Sequence, residues 1–493
     1  MPFFVALYTT SRGEESTPAT HRSYTIQRNF TLSATAFSSL SLHPGLLQNL
    51  STLGYHSMTP IQAQSLPSIL AGKDVIAQGK TGSGKTAAFG LGLLNKLDIK
   101  RFCVQALVLC PTRELADQVA KEIRRLARAI HNIKVLTLCG GMPFGPQIGS
   151  LEHGAHIVVG TPGRVEEHLR KGTLVLDQLH TLVLDEADRM LEMGFQAALD
   201  AIVEKMPAQR QTLLFSATYP NQIQSIAERV MLNPVMVKVE SSHDNASIQQ
   251  YYYKVEGDTH RLEVLRLLLL QYKPESTVVF CNTKRETQEV ADMLVSHGFS
   301  AVALHGDLEQ RDRDQTLVCF ANKSASILVA TDVAARGLDI DALDAVINFH
   351  IARDPEVHVH RIGRTGRAGA SGVACTLFSE SEMYKIGRLE EYQEIIVSAE
   401  PAPATSLLKN LAYKPPMETL QIDGGKKQKV RPGDILGALT GDNGVDGKLV
   451  GKIHIFDNCA YVAVARSAVK LAMDKLGKGK MKGRSFRVRK IRS

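Results

Sequence analysis

Gly79-Lys80-Thr81-Gly82-Ser83-Gly84-Lys85-Thr86 is the stretch of this chain that decides its fold. The apolar run Val75-Ile76-Ala77 precedes it, and a helix-prone run from Ala87 to Leu97 follows it. A glycine-rich loop between a strand and a helix is typical of a phosphate-binding loop, because its backbone N–H groups converge on phosphate oxygens. In such a loop Lys85 reaches the β and γ phosphates, and the Thr86 hydroxyl ligates Mg²⁺. The residues expected to bind a nucleoside triphosphate are therefore Gly82, Ser83, Gly84, Lys85 and Thr86.

A short acidic segment, Asp185-Glu186-Ala187-Asp188, follows the apolar run Leu182-Val183-Leu184 about a hundred residues later. Asp185 is predicted to hold Mg²⁺ from the end of a second strand, and Glu186 to orient and deprotonate the water that attacks the γ-phosphorus. The alternative is an ordinary solvated helix start, since acidic residues favour helix N-termini. The preceding strand and the phosphate-binding loop favour the first interpretation. Together the two segments predict the hydrolysis of a nucleoside triphosphate.

The length and composition indicate a globular protein with several domains. At 493 residues the chain is expected to form about three domains, each with its own core. No apolar run approaches the ~20 residues that span a bilayer, and the N-terminus lacks the basic region of a signal peptide. The seven cysteines are odd in number and scattered, without a C-x-x-C pair. We therefore expect a cytoplasmic protein with reduced cysteines and no structural metal.

The excess positive charge is confined to one end of the chain. Residues 419–493 contain 17 Lys or Arg and 6 Asp or Glu, a net charge of +11, whereas the whole chain carries +8. Residues 1–418 therefore have a net charge of −3. A basic surface attracts phosphate backbones without reading sequence, so this end is predicted to be an appended nucleic-acid-binding module.

Short apolar runs alternate with helical segments over residues 35–242 and again over residues 243–400. This alternation predicts two domains, each with a parallel sheet covered by helices. The second half has no phosphate-binding loop, so its charges are expected to complete a nucleotide site in the cleft between the halves. Residues 1–34 show no sustained period and are expected to be a disordered extension; the alternative is an artefact of an early start codon.

A Pro- and Ala-rich linker over residues 401–418 is expected to lead into a small α+β domain over residues 419–493. The strands predicted there begin near Leu420, Gly451, Tyr461 and Phe486, with helices from Pro432 to Leu439 and from Ser467 to Leu476. The order β-α-β-β-α-β is that of an RNA-recognition motif.

These segments stand in the order found in the DEAD-box RNA helicases, and the resemblance extends from about Phe37 to Arg367. Gly54-Tyr55-His56-Ser57-Met58-Thr59-Pro60-Ile61-Gln62 resembles the adenine-reading motif of that family. The resemblance implies that Gln62 hydrogen-bonds the edge of the adenine base and that Tyr55 or Phe37 packs against the base. The expected nucleotide is then ATP, with Mg²⁺. The fold that the resemblance implies is α/β, with two tandem RecA-like domains followed by the RNA-recognition-motif-like domain.

Other segments resemble the RNA-contacting and coupling motifs of the first domain. Those that resemble RNA contacts are Pro111-Thr112-Arg113-Glu114-Leu115-Ala116, Gly140-Gly141 and Thr161-Pro162-Gly163-Arg164. Their arginines, glycine N–H groups and hydroxyls suit phosphate and sugar rather than bases. The RNA-binding residues implied are Arg113, Gly141, Thr161 and Arg164. Ser216-Ala217-Thr218 resembles the motif that couples nucleotide state to RNA through hydrogen bonds near Asp188; the alternative is a helix N-cap.

The second domain resembles the family in three further segments, which start at His305, at Ala330 and at His360. The resemblance implies RNA contacts from His305, Gln310, Arg313, Thr331 and Arg336. It places Asp339 near the nucleotide and makes Arg364 and Arg367 arginine fingers that touch the γ-phosphate when the domains close. Low ATPase activity is expected until RNA assembles the site, because an arginine finger is worth roughly 10³–10⁵ in rate. An ATP-gated RNA clamp is a rival to local unwinding, and a DNA translocase or general nucleotide switch is a third alternative.

The terminal domain resembles that of a bacterial member of the family whose appended domain binds a hairpin of 23S ribosomal RNA. The resemblance lies in three phrases that start at Glu418, Arg431 and Met481, and it implies ribosomal RNA in an assembling large subunit as the substrate. The third strand offers Tyr461 without the full aromatic set that stacks bases, so the basic loops are better candidates for RNA contact. The residues proposed there are Lys426, Lys427, Lys482 and Arg484. A monomer is expected from the family.

Overall fold

A computed structural model describes residues 35–79, 82–219, 221–239, 248–335, 343–366, 372–441, 443–479, 481 and 483–491. The expected N-terminal extension, residues 1–34, lies outside the described residues, as does the expected boundary at residues 242 and 243. The chain divides into two compact units, residues 1–241 and 242–493.

The first unit is built on one seven-stranded parallel sheet. Its strands are β1 (Val75–Gln78), β2 (Ala106–Leu109), β3 (Val135–Leu138), β4 (Ile157–Gly160), β5 (Thr181–Asp185), β6 (Gln211–Ser216) and β7 (Val235–Lys238). Its helices are α1 (Pro44–Thr52), α2 (Pro60–Leu70), α3 (Lys85–Lys96), α4 (Arg113–Leu126), α5 (Phe144–Glu152), α6 (Pro162–Arg170), α7 (Ala187–Glu192), α8 (Gln196–Val203) and α9 (Asn221–Val230). The strand order is β3-β4-β2-β5-β6-β1-β7.

Apolar cores lie on both faces of this sheet, which is why most of its strand residues are apolar. Along β2, Ala106 and Val108 join the core on one face, whereas Leu107 and Leu109 join the core on the other. This alternation follows from the two-residue period of a strand, and burial of both faces is the usual condition of a parallel sheet.

The second unit begins with another seven-stranded sheet, in the order β10-β11-β9-β12-β13-β8-β14. Its strands are β8 (Ile248–Lys254), β9 (Thr277–Cys281), β10 (Ala301–Leu304), β11 (Ile327–Thr331), β12 (Ala345–Asn348), β13 (Gly372–Phe378) and β14 (Ala399–Glu400). Its helices are α10 (Gly257–Tyr272), α11 (Lys284–Ser296), α12 (Gln310–Ala321), α13 (Asp332–Ala335), α14 (Pro355–Ile362) and α15 (Met383–Gln393). We call this part the second sheet domain.

The second unit ends in a small domain, here called the terminal module, with a four-stranded antiparallel sheet in the order β16-β17-β15-β18. Its elements are β15 (Met417–Ile422), α16 (Pro432–Thr440), β16 (Val450–Ile455), β17 (Ala460–Ala465), α17 (Val469–Lys478) and β18 (Val488–Lys490). The predicted order β-α-β-β-α-β is therefore confirmed. The predicted fold class, two parallel-sheet domains followed by an RNA-recognition-motif-like domain, is confirmed with it.

Within the part of the chain that the structure describes, no helix is both long enough and apolar enough to cross a bilayer. Those residues also contain no group of three His, Cys, Asp or Glu side chains placed to hold a metal ion. The seven cysteines are free thiols.

Candidate functional site

Three adjacent strands of the first unit bring the predicted nucleotide residues to one edge of the sheet. In the strand order, β6 lies between β5 and β1. Since the strands are parallel, their carboxyl ends meet at the same edge. The glycine-rich loop follows β1, Asp185 ends β5 and Ser216 ends β6.

The glycine-rich loop is shaped for close approach by a ligand. Gly82 and Gly84 have φ of +81° and +93°, the left-handed region that only glycine adopts without strain. Lys85 begins α3, and its side chain is buried, with Nζ donating to the Gly79 carbonyl at 2.5 Å. Ser83 and Thr86 are half-buried beside it, whereas Lys80 and Thr81 lie outside the described residues. The arrangement suits phosphate at the N-terminus of α3.

The side chain of Gln62, the predicted adenine-reading residue, is hydrogen-bonded to the backbone of two other residues, Thr59 and Gly84. Its Oε1 accepts from Thr59 N at 2.9 Å, and its Nε2 donates to the Gly84 carbonyl at 3.0 Å. Thr59 Oγ1 also donates to the Ser83 carbonyl at 2.7 Å. Hydrogen bonds therefore join the predicted adenine-reading segment to the glycine-rich loop.

The predicted aromatic partners of the base lie in contact with each other. Phe37 is buried, and its ring meets Tyr55 edge to face with centroids 6.2 Å apart. The Tyr55 hydroxyl donates to Glu122 Oε1 at 2.8 Å and accepts from Arg125 Nη2 at 3.0 Å.

The acidic residues at the end of β5 form an electrostatically unusual pair. Asp185 is buried, and Glu186 has φ of +53° before α7 begins. Burial and the neighbouring Glu186 carboxylate raise the pKa of Asp185 to about 7, while Lys85 opposes that shift. A divalent cation beside this buried carboxylate would favour its charged form, so the Asp185 position fits a site for such a cation.

The predicted coupling residues join the three strand ends. Thr218 donates to Asp188 Oδ2 twice, from its backbone N at 3.1 Å and from Oγ1 at 2.9 Å. Burial alone would raise the pKa of Asp188, but Arg189 and the hydrogen bonds from Thr218 outweigh burial and lower it. The Ser216 carbonyl accepts from Gly79 N at 3.0 Å. The segment thus contacts both the acidic turn and the glycine-rich loop.

The structure brings the predicted RNA-side residues of the first unit together at two points. Arg113 Nη1 donates to the Gly140 carbonyl at 3.0 Å, and a Cβ atom at Gly141 would overlap that guanidinium. Arg164 Nη1 donates to the Met142 carbonyl at 2.9 Å, in the same loop. Thr161 is the N-cap residue of α6, the helix that contains Arg164. Both arginines therefore hold the loop at residues 140–142.

Two supporting residues gave no signal in the sequence. Gln147 is buried, donates to the Cys139 carbonyl at 3.1 Å and accepts from Arg164 Nη1 at 3.0 Å. The Phe144 ring stacks on His168 with centroids 4.1 Å apart, and the guanidinium carbon of Arg164 lies 5.4 Å from the centroid of the same ring. Both residues orient Arg164 through contacts between elements that no local pattern predicts.

In the second sheet domain the predicted RNA-side residues lie around the start of α12. Gln310 begins that helix, and Arg313 is buried one turn later, with Nη2 donating to the Ala334 carbonyl at 3.0 Å. Thr331 ends β11, and its Oγ1 accepts from Ala334 N at 3.4 Å. His305 follows β10, and its Nε2 lies 3.2 Å from Gln288 Oε1. Arg313 and Thr331 therefore meet at α13, whereas His305 is held from α11.

The turn after α14 holds the predicted finger Arg364, which is half-buried and whose carbonyl accepts from Leu343 N at 3.1 Å. No role was predicted for Arg361. Its side chain is 2 % exposed and forms a two-pronged ion pair with Asp332, with N–O distances of 2.6 and 2.8 Å. Arg361 therefore fixes α14 against α13. Arg336, Asp339 and Arg367 lie outside the described residues.

In the terminal module, two of the predicted RNA-binding side chains line one cavity of about 240 Å³. Lys427 and Arg484 lie on it with Lys429, and its apolar lining comes from Val430, Met481 and Phe486. Lys426 is exposed, and its Nζ lies 3.9 Å from Asp457 Oδ1. Lys482 lies outside the described residues.

Comparisons with known proteins agree with this arrangement. Residues 59–226 match the family model "DEAD/DEAH box helicase", residues 260–369 match "Helicase conserved C-terminal domain", and residues 419–490 match "DbpA RNA binding domain". The chain belongs to the DEAD-box family of ATP-dependent RNA helicases. It is 55 % identical over 459 residues to the ATP-dependent RNA helicase DbpA of Escherichia coli, which covers 93 % of this chain and 100 % of that protein.

Two other proteins match a smaller share of this chain. The DEAD-box ATP-dependent RNA helicase CshA of Geobacillus kaustophilus is 46 % identical over 72 % of this chain and 76 % of its own length. Among solved structures, S. cerevisiae Dbp5 bound to RNA and ADP BeF3 matches with a TM-score of 0.68 and 29 % identity, over 77 % of this chain and 100 % of that one.

Proposed function

We propose that this chain is an RNA-stimulated ATPase that opens short structured segments of 23S ribosomal RNA while the large ribosomal subunit assembles. The proposal rests on one observation: the chain that contains the candidate nucleotide site ends in residues 419–493, which have a net charge of +11 and match the DbpA RNA binding domain over residues 419–490. We further propose that the protein acts as a monomer in the cytoplasm, where such RNA is found.

The residues of the first unit have distinct tasks in this proposal. Lys85 exchanges its hydrogen bond to the Gly79 carbonyl for the β and γ phosphates of ATP. Thr86 and Asp185 would hold Mg²⁺, which supplies positive charge against the phosphate oxygens. Glu186 takes the proton of the attacking water.

The coupling of ATP to RNA is proposed to run through Asp188 and Thr218, because their contact joins the acidic turn to the strand beside the glycine-rich loop. RNA contacts are proposed for Arg113, Gly141, Thr161 and Arg164. The second unit would add its contacts at His305, Gln310, Arg313, Thr331 and Arg336, with Asp339, Arg364 and Arg367 acting at the nucleotide. Lys426, Lys427, Lys482 and Arg484 are proposed to hold the ribosomal RNA.

The rival function is an ATP-gated RNA clamp, which needs the same residues. A strand-displacement assay separates the two: a short RNA duplex next to a 23S hairpin is mixed with the protein and either ATP or a nonhydrolysable analogue. The unwinding proposal predicts that the strand is released with ATP and that an unrelated hairpin supports slower release. Tight binding with the analogue but no strand release with ATP would identify a clamp.

A further inference from the structure

The second sheet has a cleft at the edge that corresponds to the nucleotide edge of the first sheet. In the two strand orders, β12, β13 and β8 stand where β5, β6 and β1 stand in the first sheet. Residues that follow β8, β9, β12 and β13 line a cleft of about 790 Å³ at their carboxyl ends. The second sheet domain therefore has charged side chains where the first unit has the residues expected to bind ATP.

Arg261 of α10 binds the ends of two of these strands. Its side chain is buried, and its Nη1 donates to the Phe349 carbonyl after β12 and to the Leu377 carbonyl in β13. Its Nη2 forms an ion pair with Glu382 at 2.7 Å. A buried charge needs such partners, so Arg261 is balanced within the protein and fixes the carboxyl ends of β12 and β13.

His350, which follows β12, lies between two carboxylates at this edge. Its Nε2 lies 2.5 Å from Glu286 Oε1 on α11, and its Nδ1 lies 3.6 Å from Glu382 Oε1. An imidazolium donates at both ring nitrogens, whereas a neutral imidazole donates at one. The protonated ring therefore joins α11 to the turn before α15. Loss of the proton removes the positive charge and turns one nitrogen lone pair towards a carboxylate.

The two carboxylates favour the protonated ring. Burial alone would lower the pKa of His350, but the contacts with Glu286 and Glu382 outweigh burial and raise it above the ordinary value of 6.5. Burial would likewise raise the pKa of Glu286, but the hydrogen bond with His350 lowers it. A pKa that folding raises gives stabilisation that is complete below pH 6.5 and is lost as pH rises through the raised pKa.

Other charged groups surround the ring on several elements. Arg261 of α10 opposes protonation of His350, while Glu382 keeps ion pairs with Arg261 and with Lys385 of α15 whether or not the ring is charged. The contact that depends most on the proton is therefore that with Glu286. The rim of the cleft adds charges of both signs, from Lys254, Glu256, Asp258 and Glu380.

The backbone of His350 is bound to α14. Its carbonyl accepts from Arg361 Nη1 at 2.8 Å, and the same nitrogen lies 3.2 Å from Asn348 Oδ1. Arg361 lies in the last turn of α14, and Arg364 follows the end of that helix by two residues. A displacement of His350 therefore reaches the predicted finger through one hydrogen bond and one helix end.

We propose that His350 is a positioning residue for ATP hydrolysis, whose imidazolium joins Glu286 to Glu382 and so holds α14 where Arg364 acts at the nucleotide. The side chain of His350 is 16 % exposed and lines the cleft, so protons reach it from solvent. The binding of the proton stands on the geometry of the second sheet domain. Its effect on turnover rests on the proposed function, because the finger role of Arg364 belongs to that function.

The titration of His350 is measured by NMR on the full-length chain labelled with ¹³C-histidine. Its imidazole signal is the one that is absent from the spectrum of His350→Gln. The midpoint should lie above pH 6.5, and Glu286→Gln should move it to lower pH because one carboxylate is lost. A midpoint at or below pH 6.5, or one that Glu286→Gln leaves in place, would overturn the proposal.

The effect on catalysis is measured as the turnover of ATP with saturating 23S ribosomal RNA from pH 6 to pH 9. His350→Gln cannot hold the proton, so its kcat should be about tenfold below that of the unchanged chain at pH 6.5. The two should converge at pH 9, where the unchanged chain has lost the proton as well. His350→Lys keeps a cation throughout and should exceed the unchanged chain at pH 9.

Two further variants separate positioning from damage to the fold. His297→Gln makes the same change at an exposed histidine after α11 and should follow the unchanged chain at every pH. Glu286→Gln retains His350, and its turnover should fall at a lower pH than that of the unchanged chain. Affinity for ATP without RNA should stay within about twofold in all variants, since the finger acts on turnover.

A ratio of kcat between the unchanged chain and His350→Gln that stays constant with pH would overturn the positioning role, because a damaged fold lowers turnover at every pH. An unmoved pH profile in Glu286→Gln would overturn it as well. Absence of RNA stimulation in the unchanged chain at every pH would instead refute the proposed function, and the NMR titration would still decide whether His350 holds the proton.

Discussion

The substitution Gly141→Ala is expected to move Arg113 away from the loop at residues 140–142, which is proposed to contact RNA. A Cβ atom at Gly141 would overlap Arg113 Nη1, whereas a Cβ atom at the neighbouring Gly140 meets nothing within 4 Å. Gly141 also has φ of +74°, where an L-residue is strained by about 1–2 kcal/mol. Alanine should therefore disturb the structure at Gly141 but not at Gly140, and Gly140→Ala is the matched control.

The magnitude follows from the contacts that are lost. Loss of the hydrogen bond from Arg113 to the Gly140 carbonyl, which is 3.0 Å long, adds about 1 kcal/mol to the backbone strain. The free energy of unfolding of the first unit should fall by about 2–3 kcal/mol in Gly141→Ala. For a unit of this size the first melting transition should move down by about 5–10 °C.

Differential scanning calorimetry of the full-length variants measures this shift, and fluorescence anisotropy with single-stranded RNA and a nonhydrolysable ATP analogue measures affinity. Gly141→Ala should weaken RNA binding at least fivefold, while Gly140→Ala should change neither the melting transition nor the affinity appreciably. Equal behaviour of the two variants would refute the assignment of Arg113 and Gly141 to one RNA-side contact.

Four more predictions test the nucleotide site. Glu186→Gln should keep ATP binding within about threefold and lower turnover at least a hundredfold, measured by ligand titration and steady-state hydrolysis; loss of ATP binding would contradict the role of base. Thr218→Val should remove about 1.5–3 kcal/mol of stabilisation from the buried Asp188 carboxylate and reduce strand release more than ATP hydrolysis; an equal loss of both would argue against coupling. Arg364→Ala should leave nucleotide affinity without RNA nearly intact and abolish RNA stimulation, so preserved stimulation would exclude a finger role. The pKa of Asp185 lies above its ordinary value, at about 7, so between pH 4 and 7 the folded chain holds a proton that the unfolded chain releases, and the free energy of unfolding falls as pH rises from about 4 to 7. Melting curves of Asp185→Asn, measured across this range, should lose that pH dependence, and an unchanged dependence would contradict the shift.

The fold, and the meeting of the predicted nucleotide residues at one edge of a sheet, could be predicted because their signals are local in the sequence. The loop that ends in Lys85 lies between a strand and a helix, and the carboxylate of Asp185 ends a second strand, so the parallel sheet alone brings them to one edge. The order of short strands and helices over residues 419–493 likewise predicted the terminal module.

The supporting contacts could not be predicted, because they join residues far apart in the chain. Arg361 pairs with Asp332 across 29 positions, and Asn322 meets Thr419 across 97. Gln62 was expected to bind the adenine base, and that role stays a prediction, but its hydrogen bonds to Thr59 and Gly84 arise only when α2 packs beside the glycine-rich loop. Such pairings depend on tertiary packing, and no spacing of residues along the sequence predicts them.

Steady-state ATP hydrolysis by the full-length chain tests the central claim most directly. It is measured without nucleic acid, with 23S ribosomal RNA, with unrelated RNA of equal length, and with DNA. We expect low activity without RNA, strong stimulation by 23S RNA at concentrations where unrelated RNA stimulates weakly, and no response to DNA. Equal stimulation by every RNA would reduce the terminal module to a general basic contact, and stimulation by DNA equal to that by RNA would contradict RNA-directed function.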